Sequence, residues 1–163
     1  MESLLPPLIL LILIGAANTA PLVAKHFLGT RFAWPVDGGL LLSDGRPLFG
    51  KSKTLRGVFV GIIAPALIAP LAGHTAGQGL AIGAAAMAGD LLSSFSKRRL
   101  AFPPSSQAIG LDQILEVLLP ALVARDWFGL SLWEVAALVT AFTVLQLVLS
   151  KLFFHLKLRD QPY

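Results

Sequence analysis

Gly89-Asp90-Leu-Leu-Ser-Ser-Phe-Ser-Lys97-Arg98-Arg99, then a polar loop, then Gly110-Leu111-Asp112-Gln113 is the stretch that decides how this chain is read. An acidic residue closes an apolar run, a basic cluster follows at once, and a second acidic residue opens the next apolar run. Charges at membrane depth are expensive and usually functional. Two carboxylates facing Lys and Arg at one membrane surface are what a metal-dependent site for a phosphorylated substrate needs.

The rest of the composition agrees with a membrane setting. Hydrophobic residues make up 55% of the 163 residues and charged residues 13%, against roughly 25% charged in soluble domains. The mean hydropathy is +0.75. Cysteine is absent, which excludes disulfides and thiolate metal sites. The length suits a single domain spanning 1–163.

A helix needs about 20 residues to cross a bilayer core. Five runs approach this: Leu4–Ala24, Leu55–Ala72, Gly77–Phe95, Leu111–Ala124 and Leu130–Phe154. The fourth is short. The first lacks a basic segment before it and is long for a secretory signal, so it is read as a retained helix. The expected fold is all-α and polytopic, with about five transmembrane helices.

Lys and Arg set the orientation. Lys25, Arg31, Arg46, Lys51, Lys53 and Arg56 flank the first loop, Lys97, Arg98 and Arg99 the third, and Lys151, Lys157 and Arg159 the tail. With five spans these twelve of the thirteen basic residues share one face, and Arg125 lies opposite. The positive-inside rule makes the loaded face cytoplasmic, the N-terminus outside and the C-terminus inside. The net charge of +4 is therefore a topology signal, and no nucleic acid is expected as partner. The expected location is the cell membrane, with the site on its cytoplasmic face.

Chemistry concentrates at that face. Asp90, Ser94 and Lys97 share one side of a continuing helix, with Arg98 adjacent. Asp112 and Glu116 are four apart on the next helix. Asp90 and Asp112 together form a candidate carboxylate pair for Mg²⁺, whose sites use one or two carboxylates plus substrate phosphates. Taken alone, Asp90 is a salt-bridge partner and Asp112 a helix cap. The first loop, Trp34-Pro-Val-Asp37-Gly-Gly-Leu-Leu-Leu-Ser-Asp44-Gly-Arg46-Pro-Leu-Phe-Gly50-Lys51-Ser-Lys53-Thr54-Leu-Arg56-Gly57, carries turn signals at Asp37-Gly38 and Asp44-Gly45 and reads as a small hairpin or ordered loop. Its Gly50, Lys51, Lys53, Thr54 and Arg56 suit a phosphate chain at a helix N-terminus, or a basic anchor on lipid headgroups. Gly45 to Ser52 matches the Walker A spacing, but no strand and sheet can accompany it here. Asn18, followed by Pro21, is a polar group inside the first helix. It serves either a helix–helix hydrogen bond or the site. Gly79 and Gly83 have small-xxx-small spacing, for internal packing or for a homo-oligomer face.

Asn18-Thr-Ala-Pro21, Pro35-Val-Asp37-Gly-Gly, Asp44-Gly-Arg46-Pro-Leu-Phe-Gly50-Lys51-Ser-Lys53-Thr54-Leu-Arg56-Gly57, Gly89-Asp90 to Arg99 and Leu111-Asp112-Gln113 together resemble the CDP-archaeol synthase family, the small five-helix branch of the CTP-dependent lipid cytidylyltransferases. The Ser-x-x-Lys97-Arg98 element followed by Asp112 also looks like the larger CDP-diacylglycerol synthases, although Gln113 stands where those enzymes have arginine. The loop Ala101–Ile109, with Pro103, Pro104, Ser105 and Ser106, departs from the pattern. The resemblance implies that CTP and a membrane lipid phosphate give a CDP-activated lipid and pyrophosphate. Asp90 and Asp112 would hold Mg²⁺, and Lys97 and Arg98 would neutralise phosphate charge. Asn18, Asp37, Asp44, Arg46, Gly50, Lys51, Lys53, Thr54, Arg56 and Ser94 are the candidate contacts to CTP or lipid phosphate. Two other readings stand beside it: a CTP-dependent lipid-alcohol kinase, with Asp112 or Glu116 as base, and a non-enzymatic transporter or scaffold.

Overall fold

The computed structural model describes residues 4–102, 108 and 110–155, with side chains as far as residue 148. Five α-helices carry the described chain: α1 (Leu5–Leu28), α2 (Leu55–Ile68, continued by a 3₁₀ turn over Ala69–Ala72), α3 (Ala76–Arg99), α4 (Leu111–Phe128) and α5 (Leu132–His155). Leu5–Leu28, Leu55–Ala72 and Ala76–Arg99 are long and apolar enough to cross a membrane. Leu132–Val148 is a shorter apolar stretch. The helix α4 carries Asp112 and Glu116 in its first turns and Arg125 and Asp126 in its last, so its apolar stretch is the shorter one between them. Tail residues Lys151, Lys157 and Arg159, and the loop residues Pro103, Pro104, Ser105 and Ser106, lie outside the described side chains.

Helix ends run further than the apolar runs suggest. α3 continues past Phe95 through Lys97-Arg98-Arg99. Lys97 and Arg99 each find an acidic partner there, so polar residues extend the helix rather than end it. Thr75 and Gln78 form a capping box at its start. α4 reaches Phe128 and is closed by Gly129 in the left-handed conformation. Ser131 and Glu134 bond each other's backbone N–H and so cap α5.

The helix α3 is the centre of the bundle, between α2 and α4, and α1 packs on α2 and α3. The largest core cluster joins Leu10, Leu13 and Ile14 of α1 with Ile82 of α3, Val117, Ala121 and Ala124 of α4, and Val135, Leu138 and Phe142 of α5. Residues such as Leu8, Ile12, Phe59, Leu67, Val144 and Val148 point outward. They suit a lipid surround, where burial against lipid replaces burial against protein.

Small residues fix how closely α3 sits to its neighbours. A Cβ on Gly79 would fall 2.6 Å from Ala66 Cα, and one on Gly83 2.8 Å from Ile62 Cα. The Gly79/Gly83 pair therefore packs internally on α2, which engages the face that a homo-oligomer would need. A Cβ on Gly89 would fall 2.7 Å from the Leu115 carbonyl carbon and 3.1 Å from Glu116 Cα. Backbones of α3 and α4 thus meet one residue before Asp90. Gly89→Ala should cost about 1–3 kcal/mol through overpacking. Gly15→Ala, where a Cβ meets nothing within 4 Å, should stay within about 0.5 kcal/mol of the parent. Thermal unfolding of the two variants in detergent checks the contrast, and equal melting temperatures would contradict the close approach.

Candidate active site

Where α2 begins, α3 ends and α4 begins, six charged side chains meet. Lys53 Nζ donates to Asp90 Oδ1 at 2.5 Å. Lys97 Nζ pairs with Asp112 Oδ1 at 2.8 Å. The Ser93 hydroxyl donates to that same oxygen, and the Ala108 N–H donates to Asp112 Oδ2 at 2.9 Å. Arg98 lies in the field of Asp112. Glu116, one turn further into α4, interacts with Asp90, Lys53 and Asp112 and accepts from Gln146 Nε2 of α5 at 3.2 Å. Three carboxylates thus face three cations, as buried charge requires.

The two ion pairs differ in access. The side chains of Lys97 and Asp112 are 10% and 9% exposed, whereas those of Lys53 and Asp90 are both 23% exposed. The Lys53–Asp90 pair is therefore the more accessible of the two. Burial works against the Lys53 charge, but Asp90, Glu116 and Asp112 more than offset it and hold the ammonium above its ordinary range.

The first loop is ordered by its own contacts. Leu42 N–H donates to the Arg46 carbonyl at 2.9 Å and Leu48 N–H to the Leu40 carbonyl at 3.1 Å, giving the small hairpin expected around Asp44-Gly45. Asp37 accepts from the backbone N–H groups of Phe49 at 2.9 Å, Gly50 at 3.0 Å and Gly39 at 3.0 Å. Burial pushes its pKa up, but those donors together outweigh burial and hold the carboxyl below the usual range. Gly50 adopts φ 96°, and a Cβ there would lie 3.9 Å from Arg98 Cδ. The Walker A spacing is thus coincidental: the Gly50 N–H serves Asp37, and no named strand precedes it among the described residues.

Several candidate phosphate contacts are engaged with protein. Thr54 Oγ1 caps α2 by accepting from Gly57 N–H at 3.1 Å. Arg56 donates to the carbonyls of Gly29, at 3.1 Å, and Arg31, tying α2 to the end of α1. Asp44 receives Arg99 Nη1 on both oxygens at 2.7 Å, and Arg46 Nη1 donates to the Arg99 carbonyl at 2.8 Å. Lys51 is exposed on the loop, and Ser94 is buried beside Ser93. The amide nitrogen of Asn18 is buried without a hydrogen-bond partner, so it does not bond a neighbouring helix.

Sequence reasoning singled out Ser94 and passed over Ser93, although Ser93 is three residues after Asp90 and four before Lys97. The helical phase alone admits both. Arg99 and Gln146 were also missed: one reads as a topology charge, and the other as a lone polar residue on an apolar helix. Among the described residues no group of three His, Asp or Glu side chains stands ready to hold a metal ion.

Comparison with known proteins gives this arrangement a family. Residues 72–163 match the family model described as CarS-like, CDP-archaeol synthase. A CDP-archaeol synthase of Hyperthermus butylicus is 42% identical over 125 residues, 70% of each chain. One of Aeropyrum pernix is 36% identical over 156 residues, 92% of this chain and 86% of that protein. A solved structure described as an intramembrane enzyme for archaeal membrane lipids biosynthesis superposes with a TM-score of 0.71 at 32% identity, covering 86% of this chain and 90% of that one. With a shared helical fold and relatives matched over most of its length, the chain belongs to the CDP-archaeol synthase family and is a CTP-dependent cytidylyltransferase.

Proposed function

We propose that the Lys53–Asp90 and Lys97–Asp112 pairs form the centre at which a cytidylyl group passes from CTP to the phosphate of an archaeol-type lipid. The reaction joins a lipid phosphate oxygen to the α-phosphorus of CTP and breaks the bond from that phosphorus to the bridging oxygen, releasing pyrophosphate. A lipid phosphate is anionic at neutral pH, so the attacking oxygen needs no general base and no covalent enzyme intermediate. The supporting observation is the charge arrangement: two ion pairs, Lys53–Asp90 and Lys97–Asp112, with Arg98 and Glu116 beside them, at one end of the bundle.

Such a cluster can change partners when an anion arrives. Lys53, Lys97 and Arg98 turn to phosphate oxygens, which frees the oxygens of Asp90 and Asp112 for a cation. The donor set is all oxygen, which suits Mg²⁺, and Mg²⁺ sites are commonly completed by substrate phosphates and water. That accounts for the lack of a ready three-acid cage among the described residues. When bound by Asp90 and Asp112, Mg²⁺ would neutralise triphosphate charge and polarise the α-phosphoryl group. Ser93 and the Ala108 N–H fix the Asp112 carboxylate while its partners change. Lys97 and Arg98 stabilise charge that develops as pyrophosphate leaves.

The membrane arrangement follows from the same residues. Five spans bring the basic residues of the first loop, the α3–α4 turn and the tail to one surface, the cytoplasmic one by the positive-inside rule. CTP is drawn from that side, and the lipid phosphate lies at the same interface. The positive surface also attracts anionic lipid. The organisation is that of a single membrane-embedded domain.

The test is transfer from labelled CTP into archaetidic acid, phosphatidic acid or polyprenyl phosphate by purified protein in detergent with Mg²⁺. Archaetidic acid should be the preferred acceptor. Asp90→Asn should lower transfer by about 10²–10³-fold while the protein still inserts and purifies. Near-native turnover by that variant would refute the assignment. Lys97→Ala should lose a comparable share, and a change confined to protein yield would make the cluster a topology anchor instead.

A further inference from the structure

Arg99 stands outside the proposed reaction centre, yet its side chain bonds the first loop at three residues, Asp44, Arg46 and Pro47. Its Nη1 donates to both oxygens of Asp44 at 2.7 Å, and its Nη2 donates to the carbonyl of Pro47 at 2.7 Å and of Arg46 at 3.3 Å. Its guanidinium lies 5.4 Å from the centre of the Phe95 ring. From the other side, Arg46 Nη1 donates to the carbonyls of Arg99 at 2.8 Å and Arg98 at 3.4 Å. Those carbonyls belong to the last turn of α3, and the Arg98 carbonyl also accepts from Ala101 N–H at 3.3 Å. Two arginines and one aspartate therefore clasp the hairpin tip to the end of α3, each reaching across more than fifty residues of sequence.

The clasp continues to Lys53. Beyond Pro47 and Leu48 come Phe49 and Gly50, whose N–H groups are held by Asp37. The Gly50 carbonyl accepts from Lys53 N–H at 3.1 Å, and the Lys53 carbonyl accepts from Val36 N–H at 2.9 Å. The links are bonds within one small folded loop, two of them through the Asp37 carboxylate and the others from backbone to backbone. Lys53 is thus carried as part of a rigid body, and that body's position on α3 determines whether its ammonium reaches Asp90.

We infer that Arg99, with Asp44 and Arg46, forms a clasp that positions Lys53 at the reaction centre without touching nucleotide or lipid. This rests on the reading of the Lys53–Asp90 pair under "Proposed function". It reassigns Asp44 and Arg46 from candidate substrate contacts to positioning residues. Arg99 holds the Asp44 carboxylate through Nη1 and the Pro47 carbonyl through Nη2 at the same time, and this fixed planar pair of donors supplies a direction that a lysine at the same position does not.

Two measurements test it. The first is a cycle of variants read as turnover of labelled CTP into lipid. Arg99→Ala should cut kcat by about 10²-fold, the scale of a displaced catalytic group. Asp44→Ala/Arg99→Ala together should lose little beyond Arg99→Ala alone, Arg99→Lys should recover part of the rate, and Arg99→Ala added to Lys53→Ala should cost little more. Multiplying losses for Asp44 and Arg99, or an equal loss from Arg99→Ala with and without Lys53, would overturn the clasp and restore direct roles. The second needs no substrate. The chain lacks cysteine, so Lys53→Cys gives a single thiol whose alkylation reports loop docking. Arg99→Ala, or the milder Asp44→Asn where that variant does not purify, should speed alkylation several-fold. An unchanged alkylation rate overturns the inference, whether or not transfer is observed. A faster rate, together with no cytidylyl transfer by the protein that retains Lys53, would uphold the clasp and count against the proposed reaction.

Discussion

A carboxylate buried at the end of a membrane helix cannot stand there alone, and the site is organised around that constraint. Asp112 is 7% exposed, and leaving its charge unpaired would be strongly unfavourable. Lys97, Ser93 and the Ala108 N–H each satisfy it. Lys97 belongs to α3 and Asp112 to α4, so their pairing ties two helices at the surface where substrate must arrive. The requirement for compensation accounts for the cations that gather beside Asp112, the feature on which the proposed phosphate site rests.

Packing turns this requirement into geometry. Gly89 lets the backbone of α3 approach that of α4 beside Leu115 and Glu116. Asp90 is next in sequence, so two acid-bearing helix segments are brought side by side before any ligand is present. The close approach is a matter of volume, and the charge arrangement depends on it. The first loop then adds Lys53 from outside, held by internal backbone bonds and by its contacts with the last turn of α3.

Much of this was legible in the sequence, for identifiable physical reasons. Apolar runs interrupted by basic loops announce membrane helices, because each residue's transfer preference is read locally. Asp90, Lys97 and Asp112 stood out because charge is rare in such surroundings, and the structure brings all three into one cluster. Partners within the first loop were not legible. Asp37, Asp44, Arg46, Thr54 and Arg56 are all polar residues in a polar loop, and their bonds depend on a docking register that spans twenty-five to fifty-five residues. Ser93 differs from Ser94 only by one step of helical phase. The helix ends ran long because ion pairs supported polar residues that local hydropathy would have excluded. Family membership settles what residue patterns left open between cytidylyl transfer, phosphoryl transfer and transport.

The central claim is that the cluster directs attack at the α-phosphorus of CTP. The most direct measurement follows two labels at once, one on the α- and one on the γ-phosphate, with purified protein, Mg²⁺ and archaetidic acid. The account predicts that the α label enters the lipid while the γ label leaves in pyrophosphate, in equal amounts. Appearance of the γ label in lipid with CDP as coproduct, or release of phosphate without lipid labelling, would contradict it.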